Sequence, residues 1–207
     1  MAFPLHKNPD LTSAIDPRAP IMPRADFLIR PMKSEEWRLL CEKTAAIDPW
    51  KTLHLDTEWL LQDLLQDPTV EARVADTTGT DIPVTVAGWV TFTRDGALRH
   101  FERLGVSDRI LPLIRGQNGA YVRDIAVFEE WQGRGLGRLL LEPVAQAAKE
   151  VGLQCIYLSV SSFNRQARRF YERLGFTTIL ELPGVIHPDH SELVQMLELG
   201  SDSKVWH

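Results

Sequence analysis

The sequence predicts a single α/β domain, and three observations carry the prediction. Seven apolar or alternating stretches read as strands, and helical patterns fall between them instead of forming a separate block. The 207 residues, 44% hydrophobic and 25% charged, have the size and composition of one compact domain with a sizeable core. There is no internal repeat or low-complexity segment, and no stretch approaches the roughly 20 apolar residues that a membrane helix needs.

The elements follow in order. Six of the 13 prolines lie within the first 31 residues, which predicts an extended arm over 1–25 and a domain that begins near Asp26. Phe27 to Met32 reads as the first strand. Ser34 with Glu35 and Glu36 starts a helix whose inner face holds Trp37, Leu40, Cys41 and Thr44. Asp48-Pro49-Trp50 breaks that pattern, and a second helix runs from Asp56 until Pro68 closes it. Val70 to Ala75 and Val84 to Phe92 alternate around a Thr-Thr-Gly-Thr-Asp turn, a hairpin. Residues 94–119 read as an insertion, with a short helix within Arg94 to Asp108 and a loop around Pro112, Gly116, Asn118 and Gly119. The later strands are Tyr121 to Val127, Cys155 to Val160, Thr177 to Leu182 and Glu192 to Leu199. One helix runs from the glycine-rich turn to about Val151, with Pro143 expected to kink it near Leu139, and another runs from Arg165 to Leu174. The domain spans 26–199, with a tail over 200–207.

Charge and cysteine content exclude several classes. A net charge of −5 argues against a surface that tracks nucleic acid or an anionic membrane. Cys41 and Cys155 cannot build a disulfide framework or a cysteine-rich zinc site, and MAFPLHKNPD lacks the apolar run of a signal peptide. The expectation is a soluble cytoplasmic protein that binds no nucleic acid, no membrane and no metal, with a homodimer left open. The charge is unevenly spread. Between Trp131 and Arg173, seven Lys and Arg face three Glu, a local +4 that leaves −9 for the rest.

That basic segment opens on the most informative feature. Gly133, Gly135 and Gly137 alternate with Arg134, Leu136 and Arg138 where a strand hands over to an amphipathic helix. Glycines there let a ligand approach the backbone, and the free N–H groups of the first helical turn suit a phosphate. The plainer reading is a turn that only lets helix and strand pack closely. The spacing is not the G-x-G-x-x-G of a dinucleotide fold, and Arg138 stands where a Walker loop needs Lys followed by Ser or Thr.

The run Asp124-Ile125-Ala126-Val127, then Glu130-Trp131, then Gln132-Gly133-Arg134-Gly135-Leu136-Gly137, resembles the pyrophosphate loop of the GCN5-related N-acetyltransferase (GNAT) superfamily. Asn164 and the stretch Phe170-Tyr171-Glu172-Arg173-Leu174-Gly175-Phe176 follow at that family's distance. The specific part of the resemblance covers 120–176. Glu129, where the family usually has proline, Pro143 and the 94–119 insertion depart from it. The resemblance implies a central, mixed, mostly antiparallel twisted sheet of about seven strands, splayed at the fourth and fifth and flanked by about four helices.

It also implies an acetyltransferase. Acetyl-coenzyme A would set its pyrophosphate on Gln132 and on the N–H groups of Gly133 to Arg138, and run its pantetheine arm along Ile125, Ala126 and Val127. Asn164 and Tyr171, seven residues apart, stand about two helical turns from each other on one face, so one extended ligand can touch both. Asn164 can equally be a helix N-cap and Tyr171 a core aromatic. Transfer to a primary amine needs a proton acceptor, oxyanion donors and an acid for the departing thiolate. Tyr171 is the expected acid. Asp124 is the expected base or amine-orienting carboxylate, although alternation leaves it free to face solvent or to pair with Arg123. Glu129 and Glu130 read as solvated turn residues. His187 and His190 have metal-like spacing but no third ligand, and read as a surface loop. Trp50 and Trp59 are assigned to the acceptor side or to the core. A non-catalytic acyl-coenzyme A sensor is the competing function. A helix-turn-helix reading of Arg165, Arg168, Arg169 and Arg173 leaves the glycine turn unexplained.

Overall fold

The computed structural model describes residues 26–78, 84–114 and 117–200. The first strand, β1 (Asp26–Pro31), leads through a 3-10 turn at Ser34–Glu36 into α1 (Trp37–Ala45), followed by α2 (Thr57–Leu65). Glu36 accepts the Lys33 backbone N–H at 2.7 Å, and Asp56 caps α2 by accepting the Trp59 N–H at 2.8 Å. These short acceptors satisfy donors that a helix start leaves unpaired. Strands β2 (Glu71–Thr78) and β3 (Val86–Thr93) form the expected antiparallel hairpin. The proposed arm over 1–25, most of the hairpin turn and residues 201–207 of the tail lie outside the described residues.

The 94–119 stretch holds the short helix expected within Arg94 to Asp108 and adds a second. It carries two helices, α3 (Ala97–Arg103) and α4 (Ser107–Ile110), which bring the described helices to six where the resemblance implies about four. Both are held by burial: Ala97, Phe101, Ile110 and Ile114 join Tyr121 and Tyr157 in a second core. Phe101 sets its ring edge-on to both tyrosines, at 5.8 and 5.9 Å.

The remaining elements are β4 (Ala120–Val127), a 3-10 turn at Glu129–Trp131, α5 (Leu136–Glu150), β5 (Cys155–Ser161), α6 (Arg165–Arg173), β6 (Thr177–Pro183) and β7 (Ser191–Glu198). Helix α5 continues through Pro143 without interruption. The seven strands form one sheet in the order β1-β2-β3-β4-β5-β7-β6. Every neighbouring pair is antiparallel except β4 and β5, which run parallel. Their register covers only Ala120↔Ile156, Tyr121↔Tyr157 and Val122↔Leu158. Past Val122 the two strands part, and the sheet opens in its middle.

Candidate active site

The parting of β4 and β5 leaves an edge in the interior of a sheet. Residues Asp124 to Val127 pair with β3 on one side and have no strand partner on the other. Unpaired peptide groups there can bond an amide-containing ligand much as a neighbouring strand would. At the end of this edge stands the glycine turn. Gly133 and Gly135 have φ of 74° and 79°, the left-handed region that suits glycine. Among the described residues, the backbone N–H groups of Gly133, Arg134, Gly135, Leu136 and Gly137 find no acceptor within the protein. The Arg138 N–H differs from expectation. It turns back to the Gly135 carbonyl at 3.1 Å, so only its side chain remains available to a phosphate.

Gly137 has a packing role as well. A Cβ at that position would meet the Phe170 ring at 2.9 Å, so glycine lets α6 approach the start of α5. The packing reading of the turn thus rests on Gly137, whose N–H is also unpaired among the described residues. Gln132 ties the turn to the strand: its Nε2 donates to the Val127 carbonyl at 3.0 Å, and its Oε1 accepts from Gln166 at 3.2 Å. Arg134 lies over the Trp131 ring, 4.9 Å from its centroid.

Helix α6 supplies the opposite wall. Asn164 is its N-cap, accepting the Ala167 N–H at 3.1 Å, and also lines the cavity between the parted strands. Tyr171 is buried against Phe170 and Phe176 and lines the same cavity. Its hydroxyl makes no hydrogen bond among the described residues. Burial, with a smaller push from the Asp124 charge, raises its pKa above the ordinary tyrosine value, which keeps the proton on the oxygen at neutral pH.

Asp124 faces neither solvent nor Arg123. It is 8% exposed, accepts the Trp50 indole N–H at 3.1 Å and the Thr91 hydroxyl at 3.1 Å, and lines the cavity. A register shift between Thr91 and Phe92 leaves Arg123 without a partner in the β3–β4 ladder, a bulge beside the carboxylate. Arg123 instead pairs with Asp63 of α2 and lies 3.6 Å from Asp67. Burial raises the Asp124 pKa, the Asp63 charge adds to the rise, and the Trp50 and Thr91 hydrogen bonds oppose it.

The cavity, of about 650 Å³, continues from the glycine turn past Asp124 and Tyr171 to the α1–α2 and β6–β7 connections. Trp50 and Trp59 both line it. Two further residues there were not singled out in the sequence. Glu192 is 7% exposed and accepts the Ser161 hydroxyl at 2.6 Å, and burial raises its pKa despite that bond. His100 of α3 stacks on Tyr121 at 3.9 Å; burial first, then Arg123 and Arg103, lower its pKa to about 3, so it is neutral at physiological pH. Glu192 carried a legible signal, since it continues the two-residue alternation of Val194 and Met196. His100 carried none, because no motif near it ties the short helix expected within Arg94 to Asp108 to the site.

Glu129 and Glu130 are exposed. The His187 and His190 rings lie 5.0 Å apart, tilted by 32°, and no group of three or more His, Cys, Asp or Glu among the described residues is arranged to hold a metal. No helix among them is long and apolar enough to cross a membrane.

Residues 34–176 match the model of the acetyltransferase (GNAT) family. The chain is 33% identical over 60 residues to the uncharacterised N-acetyltransferase YycN of Bacillus subtilis, covering 29% of this chain and 38% of that protein. It is 33% identical over 70 residues to the thialysine N-epsilon-acetyltransferase of Bos taurus, covering 34% and 41%. The matched segments thus span about two fifths of these relatives' length. Among solved structures, Arabidopsis thaliana NAA60 in complex with acetyl-CoA superposes with a TM-score of 0.63 at 19% identity, covering 84% of this chain and 99% of that one. That likeness establishes the same fold. On the family match, which takes in the parted strands, the glycine turn and α6, the chain belongs to the GNAT family of acetyltransferases.

Proposed function

We propose that the protein is an N-acetyltransferase that moves the acetyl group of acetyl-coenzyme A to a primary amine by direct attack in a ternary complex. The observation that carries this reading is the unpaired edge of β4 past Val122, which runs into five unsatisfied N–H groups at the start of α5. The donor set fits the cofactor. Backbone N–H groups at a helix start suit its pyrophosphate, and the strand edge suits the amides of its pantetheine arm. Gln132, Gly133, Arg134, Gly135, Leu136 and Gly137 would hold the former, with the Arg138 side chain nearby, and Ile125, Ala126 and Val127 the latter. Asn164 and Tyr171 would close over the arm from α6.

When bound, acetyl-coenzyme A supplies an activated acyl thioester; the chain supplies proton handling and orientation. An alkylammonium loses its proton near pH 10, so at neutral pH a base must take it before nitrogen can attack. Asp124 fills that role: burial raises its proton affinity, while Trp50 and Thr91 fix its two oxygens. Peptide N–H groups on the open edge of β4 stabilise negative charge that develops on the acyl oxygen. Tyr171 holds a proton in the same cavity and gives it to the departing sulfur.

Free thiol released from acetyl-coenzyme A in the presence of primary amines measures this activity. Tyr171→Phe is expected to lower turnover by about 10²-fold, at the low end for a general acid, and to change acetyl-coenzyme A affinity by less than about threefold. Equal losses in both would remove the hydroxyl from the acid role.

A further inference from the structure

The acceptor end of the cavity differs from the cofactor end in the charges it leaves unpaired. Three arginines line the cavity: Arg103, Arg123 and Arg173. Arg123 pairs with Asp63 and lies near Asp67, and its side chain is only 3% exposed, so its remaining Nε–H is sealed in. Arg103 bonds the same Asp63 at 3.1 Å and approaches Asp67 at 3.8 Å. Arg173 stands at i+7 and i+3 from Gln166 and Phe170, the α6 residues that touch Gln132 and Gly137, so its stripe belongs to the phosphate end. His100 is neutral. The acceptor end therefore offers no uncommitted cation among the described residues.

It does offer uncommitted carboxylates. Asp124 accepts only from Trp50 and Thr91, and Glu192 only from Ser161; neither has a cation partner among the described residues. Around them the walls are apolar: Leu53 and Leu55 from the α1–α2 connection, Trp59 from α2, Leu104 after α3, and Val185 and Ile186 from the β6–β7 connection. Buried acids that form no ion pair attract an ammonium, and the Arg123 charge, already paired with Asp63, only partly offsets that of Asp124. A carboxylate on the same ligand would be desolvated beside two acids with no cation to meet it. The two connections also approach each other beside the cavity. His54 and His187, next to wall residues on the two connections, bring their rings within 6.2 Å of each other. A peptide extending outward from a reacting amino terminus would have to pass this contact.

We infer that the acceptor is a small primary amine with an apolar, aromatic-sized body and no carboxylate, an inference that rests on the acetyl transfer proposed above. Matched pairs test it: tryptamine with tryptophan, phenethylamine with phenylalanine, putrescine with ornithine, and a tripeptide beginning with phenylalanine. Each is assayed with acetyl-coenzyme A by free thiol release. The aromatic amines are expected to exceed their own amino acids by about 10²-fold in kcat/KM, and putrescine by about tenfold. Amino acids, putrescine or the tripeptide used as well as the aromatic amines would overturn the inference while leaving acetyl transfer to amines standing. Thiol release with none of them would overturn both. Ile186→Arg, at a position 37% exposed on a connection, adds the missing cation. It is expected to narrow the tryptamine-to-tryptophan ratio by about tenfold, and an unchanged ratio would contradict the electrostatic part of the inference.

Discussion

At one end of the cavity the groups on offer are backbone: five N–H donors between Gly133 and Gly137 and the open edge of β4. At the other they are side chains contributed by α1–α2, the 94–119 insertion, and β6–β7. The difference teaches what each end can recognise. Peptide groups on a strand edge and a helix start are the same whatever the side chains are, so they suit a constant ligand. Side chains drawn from three separate connections suit a ligand that varies between relatives. Asp124 and Tyr171 sit where the two ends meet.

The comparison breaks most visibly at that junction. Asp124→Asn is expected to lower turnover by about 10²-fold or more while leaving acetyl-coenzyme A affinity unchanged, because in the proposed mechanism the carboxylate acts on the amine and not on the cofactor. The same substitution has an opposite effect on stability. Burial raises the folded-state pKa of Asp124, so the folded chain keeps a proton at pH values where the unfolded chain has released it. The group's favourable contribution is therefore present at low pH and is lost as pH rises from about 4 through the raised pKa. The melting temperature of Asp124→Asn is expected to fall less between pH 5 and pH 8 than that of the parent. Parallel melting curves would mean that the carboxylate is not held in its buried state.

Gln132→Glu probes the cofactor end alone. It removes the donor to the Val127 carbonyl and sets a carboxylate beside the unpaired N–H groups. Weakening of acetyl-coenzyme A binding by about tenfold is expected in calorimetry, with no change in the relative rates for different amines. A change in amine preference would show that the two ends are not separable. Trp50→Phe has the smallest effect and sharpens the boundary. Loss of the indole hydrogen bond lets the Asp124 pKa rise further, so the base-dependent limb of the rate profile should move to higher pH, with a loss of a few fold at neutral pH. An unshifted limb would take Trp50 out of the control of Asp124.

The same contrast governs what could be read from the sequence. The strand, the glycine turn and the helices of the proposed cofactor end were legible because their signals are local: a strand, three glycines at fixed spacing, a helix, and a further strand and helix. All seven strands were placed for the related reason that their alternation is a short-range signal. The acceptor end depends on contacts between Trp50 and Asp124, 74 residues apart, and between Ser161 and Glu192, 31 residues apart, which no local pattern reports. The direction of Asp124 was hidden by the bulge at Thr91 and Phe92, since one extra residue defeats the alternation from which direction is inferred. The insertion was legible in part. One short helix was expected within Arg94 to Asp108, whereas burial of Phe101 and Ile110 beneath β4 and β5 holds two.

Amide hydrogen exchange with and without acetyl-coenzyme A tests the central claim most directly. Slowed exchange is predicted at Ile125, Ala126 and Val127 and at Gly133 through Gly137, with α3 and α4 unchanged. Unaltered exchange across both backbone segments in a protein that nevertheless binds the cofactor would contradict the assignment of the cavity's two ends.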